Sequence, residues 1–105
     1  MTSTDRRARV MLFCRAPQGD GDPIAAAYHT ISAGLAGTPG LLGNELLRDV
    51  MEPDGFIVLS EWESLAAFRS WESGSAHRGT TSPLRQYQDH GRGRPFGLYE
   101  VTASY

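Results

Sequence analysis

The sequence predicts a single small α+β domain whose main strands and helices follow the order βαββαβ. Three observations predict this fold class: four short apolar runs typical of strands, two stretches with apolar residues at helical spacing, and turn-rich segments between them. At 105 residues the chain has the usual length of one domain, because half of it would be too short to form a core without help. We assign residues 9–105 to this domain and residues 1–8 to a flexible N-terminal tail.

The first strand and the first helix are predicted in the N-terminal third of the chain. Arg9–Arg15 is an apolar run that is closed by a turn at 17–21, and this pattern favours a strand. Asp22 followed by Pro23 is typical of a helix N-cap with proline at the first helical position. Apolar residues then recur at a spacing of three or four, which predicts a helix that ends near Gly37.

The middle of the chain predicts a β-hairpin followed by a second helix. Leu41–Val50 has leucines on both parities, so we expect a strand that is buried on both sides. A tight turn at 52–55 leads to Phe56–Trp62, the strongest strand pattern in the sequence. Ser64 is a suitable N-cap for the second helix, which Gly74 ends.

The C-terminal third predicts a loop, a short helical stretch and a last strand. The loop contains His77, the helical stretch covers 83–88, and the final strand covers 96–102. The complete order is that of the ferredoxin-like βαββαβ fold, an antiparallel sheet that carries its helices on one face.

A sheet of this kind needs a cover for its second face. Leu41, Leu47, Ile57 and Leu59 have one parity, and the residues between them are largely apolar as well. Because one chain offers no third layer, we expect the sheet of an identical copy to cover this face, and we predict a homodimer.

Composition excludes several classes of protein. The net charge of −2 comes without a basic stripe among aromatic residues, so nucleic acid is not the expected partner. The apolar run at 10–14 is too short for a membrane span or a signal sequence, and we expect a soluble cytoplasmic protein without membrane contact. Cys14 is the sole cysteine, which excludes an intrachain disulfide and favours a small residue within a strand.

The sequence also lacks the usual cofactor motifs. It contains no glycine-rich phosphate loop and no histidine pair at metal-ligand spacing, so we expect no metal. A chain of this length has no separate domain for a dinucleotide, and we expect no tightly bound cofactor. If a flavin takes part, it would arrive reduced (FADH₂ or FMNH₂) and diffusible, from a partner flavin reductase, and react with O₂.

Two sequence stretches resemble the antibiotic biosynthesis monooxygenase superfamily. The first is Pro39–Gly43 followed by Glu45–Leu47, and the second is Glu61–Ser64 followed by Ala67–Phe68 and Trp71. The similarity covers residues 9–104 and implies a dimeric α+β barrel with a pocket between helices and sheet in each subunit. It further implies a small oxygenase of antibiotic biosynthesis that oxidises a phenol or quinone, or opens a ring, in a polycyclic aromatic polyketide.

The sequence departs from two branches of this superfamily. Where the haem-degrading branch has an asparagine on the first strand, this chain has Leu12. Where the quinone-forming branch has an asparagine and a tyrosine around its strand-3 tryptophan, this chain has Val58 and Phe68, and only Trp62 is retained. Two alternatives therefore stay open: a non-catalytic protein that binds an aromatic metabolite, and a haem-degrading monooxygenase.

Trp62 and His77 are the predicted catalytic residues. Trp62 ends the third strand on the helix-facing parity, where its indole can stack on a flat substrate and donate its N–H to a carbonyl oxygen. His77 lies in the loop expected over the pocket mouth, where an imidazole can transfer protons near neutral pH. A core role for Trp62 and a solvated position for His77 are the alternatives.

Six further residues are predicted to bind the substrate. Tyr28 and Trp71 lie on the inward stripes of their helices, where plain packing is the alternative. Asn44 is a polar residue on the parity of Leu46, and Arg85 is a candidate to anchor an anionic or phenolate oxygen, with a surface position as its alternative. Val58 and Phe68 complete the set through the resemblance.

Overall fold

The computed structural model describes residues 6–74, 77–94 and 96–105, with side chains at all of these except 77, 78, 80 and 92. Four strands form one antiparallel sheet in the order β2-β3-β1-β4. They are β1 (Ala8–Arg15), β2 (Leu41–Arg48), β3 (Gly55–Trp62) and β4 (Phe96–Glu100). This strand order and the antiparallel pairing confirm the predicted ferredoxin-like fold.

Three helices cover one face of the sheet, where two and a short stretch were expected. They are α1 (Asp22–Leu35), α2 (Leu65–Glu72) and α3 (His77–Arg85), with short 3₁₀ turns at 17–19 and 90–92. The buried side chains of the helices pack against inward residues of the strands, and this layer forms the core. The buried residues of this core include Ala8, Cys14, Ile24, Ile31, Leu35, Trp62, Phe68 and Leu84.

Helix α3 corrects the prediction for the segment after α2. His77 was expected in a loop and the helical stretch at 83–88, but α3 begins at His77 and ends at Arg85. Pro83 lies inside this helix and cannot donate to the carbonyl of Gly79, which instead accepts a hydrogen bond from Ser82 Oγ at 3.0 Å. Leu84 on this helix is 1% exposed, so its burial against α1 outweighs the low helix propensity of the segment.

A β-bulge near the start of β2 corrects the predicted parity of its leucines. Leu41 pairs with Trp62 but Gly43 pairs with Glu61, so Leu42 is an extra residue on this strand. Leu41 therefore packs under the helices, whereas Leu42 is 54% exposed, the reverse of the prediction. Within a single chain, the face of β2 opposite the helices is largely exposed, and its expected burial against a second copy stays a prediction. The strand ends at Arg48 instead of Val50.

The N-termini of the two main helices differ from each other. Ser64 caps α2 as predicted, because its Oγ accepts a hydrogen bond from the N–H of Ala67 at 3.0 Å. At α1, Asp22 is already helical and Gly21 takes the cap position without a side-chain bond. Asp20 accepts a hydrogen bond from the N–H of Asp22 at 3.0 Å and so supplies the side-chain acceptor two residues earlier than predicted.

Gly40 joins the start of β2 to α2. Its carbonyl accepts a hydrogen bond from the N–H of Glu63 at 2.8 Å, and its φ of +83° lies in the left-handed region. A Cβ at this position would overlap the side chain of Ala67, so the close approach of strand and helix also requires glycine. The contact fixes the bulged strand beside the helix that carries Phe68 and Trp71.

The segment after α3 contacts the C-terminal end of β1. Arg15 forms ion pairs with Asp54 at 2.8 Å, Asp89 at 3.3 Å and Glu52 at 3.5 Å. The hydrogen bond and charge of Asp54, followed by the charge of Asp89, raise the pKa of the Arg15 guanidinium further above its usual value. The ion pair with Asp89 and the bridge between Cys14 and Gln88 hold the segment after α3 against β1, whereas Glu52 and Asp54 belong to the turn between β2 and β3.

The described part of the chain contains no helix long and apolar enough to cross a bilayer. Within the same residues, no three histidine, cysteine or carboxylate side chains are grouped as metal ligands. The tail predicted for residues 1–8 is partly outside the description, and Ala8 already belongs to β1.

Candidate active site

A cavity of about 260 Å³ lies between the helices and the sheet. Its volume is just below the usual range for small-molecule sites, and its wall is largely apolar. The predicted residues in its wall are Asn44, Val58, Trp62, Phe68, Trp71 and Arg85. The fold therefore brings most of the predicted site residues into one pocket.

Trp62, Phe68 and Trp71 form an aromatic trio in this wall. The ring centroid of Trp62 lies 5.5 Å from that of Phe68 in an edge-to-face arrangement and 5.4 Å from that of Trp71. Trp62 is 1% exposed and Trp71 is half-buried, so the first residue is anchored in the core while the second is more accessible. Stacked and edge-on rings of this kind favour flat apolar ligands.

The indole N–H of Trp62 has a partner within the protein. It donates a hydrogen bond to Ser60 Oγ at 2.9 Å. Ser60 lies two residues earlier on β3, so both side chains point to the helix side, and both line the pocket. The predicted donation from Trp62 to a substrate oxygen is therefore replaced in this structure by a bond to Ser60.

Asn44 is held by two hydroxyl groups of α1. Its Oδ1 accepts hydrogen bonds from Tyr28 Oη at 2.5 Å and from Ser32 Oγ at 3.1 Å. Tyr28 was predicted to bind substrate, but it is not among the residues that line the pocket and instead positions Asn44. Asn44, the polar residue on the parity of Leu46, thus belongs to a small hydrogen-bond network at the pocket wall.

The helices contribute charged and polar groups to the same pocket. Arg85 donates a hydrogen bond to Thr81 Oγ1 at 3.3 Å, and both residues line the cavity from α3. Glu72 lines it from the end of α2 and forms an ion pair with Arg69 at 3.1 Å. The side chain of His77 lies outside the described residues, so its catalytic role remains a prediction.

Sequence reasoning missed Ser60 and Glu72 as pocket residues. Ser60 is the hydroxyl on the otherwise apolar inward parity of β3, and this break in the pattern was a usable signal. Glu72 follows Phe68 by four residues, a spacing that places both on one helix face. Polar residues on an apolar stripe were thus the signal in both cases.

Cys14 is not a nucleophile of this site. It is buried in the core beside the pocket and is not part of its wall. Burial, together with the nearby charge of Asp89, raises the pKa of the Cys14 thiol to about 11. The thiol is therefore protonated at neutral pH, as expected of a structural cysteine.

Comparison with known proteins identifies the family of the chain. The chain is 30% identical over 81 residues to protein SchA of Streptomyces halstedii, a match that covers 77% of this chain and 21% of SchA. It is 33% identical over 60 residues to a mycobilin-producing heme oxygenase of Mycobacterium tuberculosis, which covers 57% of both chains. The chain thus spans about a fifth of SchA and a little over half of the heme oxygenase.

A solved structure supports the fold over nearly the whole chain. SnoaB, a cofactor-independent oxygenase from Streptomyces nogalater, superimposes with a TM-score of 0.74, at 19% identity, over 96% of this chain and 97% of its own. The profile of the antibiotic biosynthesis monooxygenases matches residues 8–81, which include β1–β3 and the aromatic trio. The chain belongs to the antibiotic biosynthesis monooxygenase family.

Proposed function

We propose that the chain is an oxygenase that binds a flat phenolic or quinone ring system, such as an aromatic polyketide, and oxidises it with O₂. The observation that carries this proposal is the composition of the pocket wall. It combines the aromatic trio with the hydrogen-bonding groups of Ser60 and Asn44 and with the guanidinium of Arg85. Membership of the monooxygenase family supports an oxygenase over other enzymes that bind flat aromatic ligands.

Each part of the wall has a chemical task in this proposal. The aromatic trio binds the ring system by stacking and orients it. Arg85 attracts an ionised ring oxygen, and this attraction is stronger in a largely apolar pocket than in water. The ionised ring is electron-rich, so it passes electrons to O₂ more readily than the neutral phenol does.

The reaction balances without an external reductant. With an anthrone, one oxygen atom of O₂ becomes the new carbonyl of the quinone, and the other leaves as water with the two hydrogens of the oxidised carbon. Because the substrate supplies all the electrons, we propose that no bound cofactor takes part. SnoaB is described as cofactor-independent, and none of the comparisons supports the alternative of a diffusible reduced flavin supplied by a flavin reductase.

Two residues are candidates to accept the proton of the phenol. His77 was predicted for this role from its chemistry and its place after α2. Among the described residues of the wall, Glu72 is a second candidate, because a carboxylate accepts protons and this one lies at the pocket. Glu72→Gln and His77→Ala should differ, with a turnover loss of about 10²–10⁴-fold in the variant that removes the base.

Product analysis separates catalysis from binding. We expect a dihydroxyanthrone, incubated with the protein under isotopically labelled O₂, to give a quinone that carries one labelled oxygen atom, above the uncatalysed background. Quenching of tryptophan fluorescence without a labelled product would favour the alternative of a non-catalytic binding protein.

Haem degradation is the second candidate function, because one relative is a heme oxygenase. Leu12 stands in the pocket wall where the resemblance places the asparagine of the haem-degrading branch. We therefore expect haemin to bind weakly and without a defined Soret shift. A stoichiometric titration with ring opening under reducing conditions would favour haem over the phenolic substrate.

We further propose that the chain works as a homodimer in the cytoplasm. The face of the sheet opposite the helices pairs Met11 with Leu59 and Phe13 with Ile57, with Leu47 beside Ile57. A contiguous apolar surface of this kind favours burial against another surface, and a two-fold axis buries the same surface twice.

A further inference from the structure

Two polar side chains lie next to each other on the sheet inside the pocket. We infer that Asn44 and Ser60 form a paired donor site that holds one ring oxygen of the substrate in its ionised form, and that Trp62 is the positioning residue for Ser60. The inference rests on the proposed function, because it names the groups that bind the ionised oxygen of that substrate.

The strand register places the two side chains together. Asn44 on β2 and Ser60 on β3 are direct partners in the antiparallel pairing, and both line the cavity. The Cβ atoms of such opposed residues lie about 4.5–5.5 Å apart. A single acceptor atom above this part of the sheet is therefore within hydrogen-bond reach of both side chains.

Ser60 is oriented as a donor by Trp62. A hydroxyl group has one hydrogen and two acceptor positions, and the indole N–H fills one acceptor position at 2.9 Å. Because indole only donates, this bond cannot be reversed, and the hydroxyl hydrogen of Ser60 must find another acceptor. Among the described residues it has none, so it is available to a ligand in the pocket.

Asn44 presents the donor end of its amide in the same way. Tyr28 and Ser32 both donate to Oδ1, which leaves the two N–H bonds of the amide without a protein acceptor among the described residues. The pocket thus offers two neutral donors side by side. Such a pair stabilises an oxygen with negative charge more than a neutral one, as in an oxyanion hole.

The expected consequence is a lowered pKa of a bound phenol. Alizarin is a suitable probe, since its visible spectrum changes when its phenol ionises. We expect the apparent pKa of alizarin bound to the full chain to lie at least one unit below that of free alizarin. Ser60→Ala should remove about half of this shift, whereas Ser60→Thr, which keeps the hydroxyl, should retain it.

Three further variants separate this pair from other causes. Asn44→Asp keeps an acceptor for Tyr28 and Ser32 but replaces the amide donors by an anionic oxygen, so the pKa of bound alizarin should rise above the wild-type value. Trp62→Phe should act in the same direction as Ser60→Ala, because the hydroxyl of Ser60 loses its orienting donor. Ser70→Ala, on the exposed side of α2, is the matched control and should change nothing.

The outcomes distinguish this inference from the proposed function. Suppose that alizarin binds with a lowered pKa, that Ser60→Ala and Asn44→Asp leave this shift unchanged, and that Arg85→Gln abolishes it. This result would overturn the donor pair but not the proposed oxygenase activity. Binding without any pKa shift would do the same. Failure of alizarin and of a dihydroxyanthrone to bind at all would overturn both.

Discussion

Trp62 shows how one hydrogen bond changes the role of a residue. Its parity placed the indole on the helix side of the sheet, and the structure agrees. Its N–H, however, bonds to Ser60 instead of pointing to a ligand. The sequence could not distinguish these partners, because Ser60 shares the parity of Trp62 and any substrate would lie on the same side.

Replacing Trp62 tests whether its N–H matters more to activity than to folding. Trp62→Phe keeps an aromatic ring in the trio but removes one hydrogen bond and leaves a smaller ring at a 1% exposed site, so we expect the free energy of unfolding to fall by about 1–2 kcal/mol. Turnover of an anthrone should fall by about tenfold or more, because Ser60 is no longer oriented. Urea denaturation and steady-state kinetics measure the two effects.

Trp71→Phe is the comparison for this variant, since Trp71 belongs to the same trio but is half-buried. We expect it to keep most of the turnover. A fully active Trp62→Phe beside an inactive but folded Trp71→Phe would mean that the pocket depends on the other tryptophan.

Cys14 gives the protein a defined response to alkaline pH. The thiol has a pKa of about 11 in the folded chain and its ordinary value of 9.0 in the unfolded chain. The unfolded chain therefore releases this proton first, and the free energy of unfolding should fall by roughly 2–3 kcal/mol as the pH rises from 9 to 11. The contribution is fully present below pH 9.

Urea titrations of the wild type and of Cys14→Ala across this pH range measure the effect as a difference in the slope of the unfolding free energy against pH. At pH 8 the native thiol should also react slowly with a disulfide reagent and rapidly once the protein is unfolded. Equal slopes for the two proteins, or rapid labelling of the native protein, would contradict the buried, protonated thiol.

At the scale of the elements, the sequence predicted those whose local signals agree with their packing. The capped helix at Ser64 and the hairpin strand up to Trp62 were both identified because propensity, turn chemistry and periodicity point the same way. Most of helix α3 was missed because Gly79 and Pro83 disfavour a helix. The burial of Leu84 stabilises the helix, and this burial is a tertiary contact that local propensity does not show.

The bulge in β2 was beyond reach for a different reason. Strict alternation along the strand predicts that Leu42 and Leu46 lie on the same face of the sheet. One extra residue in the strand reverses the predicted face of the residues before it. At the bulge, β2 pairs with Trp62, and the glycine before the strand, Gly40, contacts α2. These are tertiary contacts, which the local sequence pattern does not reveal. Asn44 lies beyond the bulge, so its predicted place in the pocket was unaffected.

The cap of α2 is testable by a single substitution. Ser64→Ala removes the acceptor for the N–H of Ala67, and we expect a loss of about 1 kcal/mol in the free energy of unfolding. For a domain of this size the melting temperature should fall by about 4–8 °C. Ser70→Ala, at an exposed position of the same helix, should leave the melting temperature unchanged. An equal loss in both variants would show that the cap contributes nothing specific.

For the whole molecule, the uncovered sheet face makes the oligomeric state a direct prediction. Light scattering at micromolar concentration should give about twice the mass of one chain. Leu59→Glu places a charge in the centre of the face, opposite Met11, and should give a monomer or prevent folding. Val50→Glu, at an apolar residue that is 84% exposed in the turn after β2, should leave the mass unchanged. A wild-type chain that is monomeric at this concentration would contradict the homodimer.

Oxygen uptake with a dihydroxyanthrone, measured in an oxygen electrode without added flavin or reductant, tests the proposed oxygenase activity. We expect consumption of one O₂ per quinone formed, at a rate well above the uncatalysed reaction. Arg85→Gln should lose most of this rate, and Ser70→Ala should lose none of it. Uptake no faster than the background with several phenolic substrates, or faster than the background only after reduced flavin is added, would contradict the cofactor-independent oxygenase.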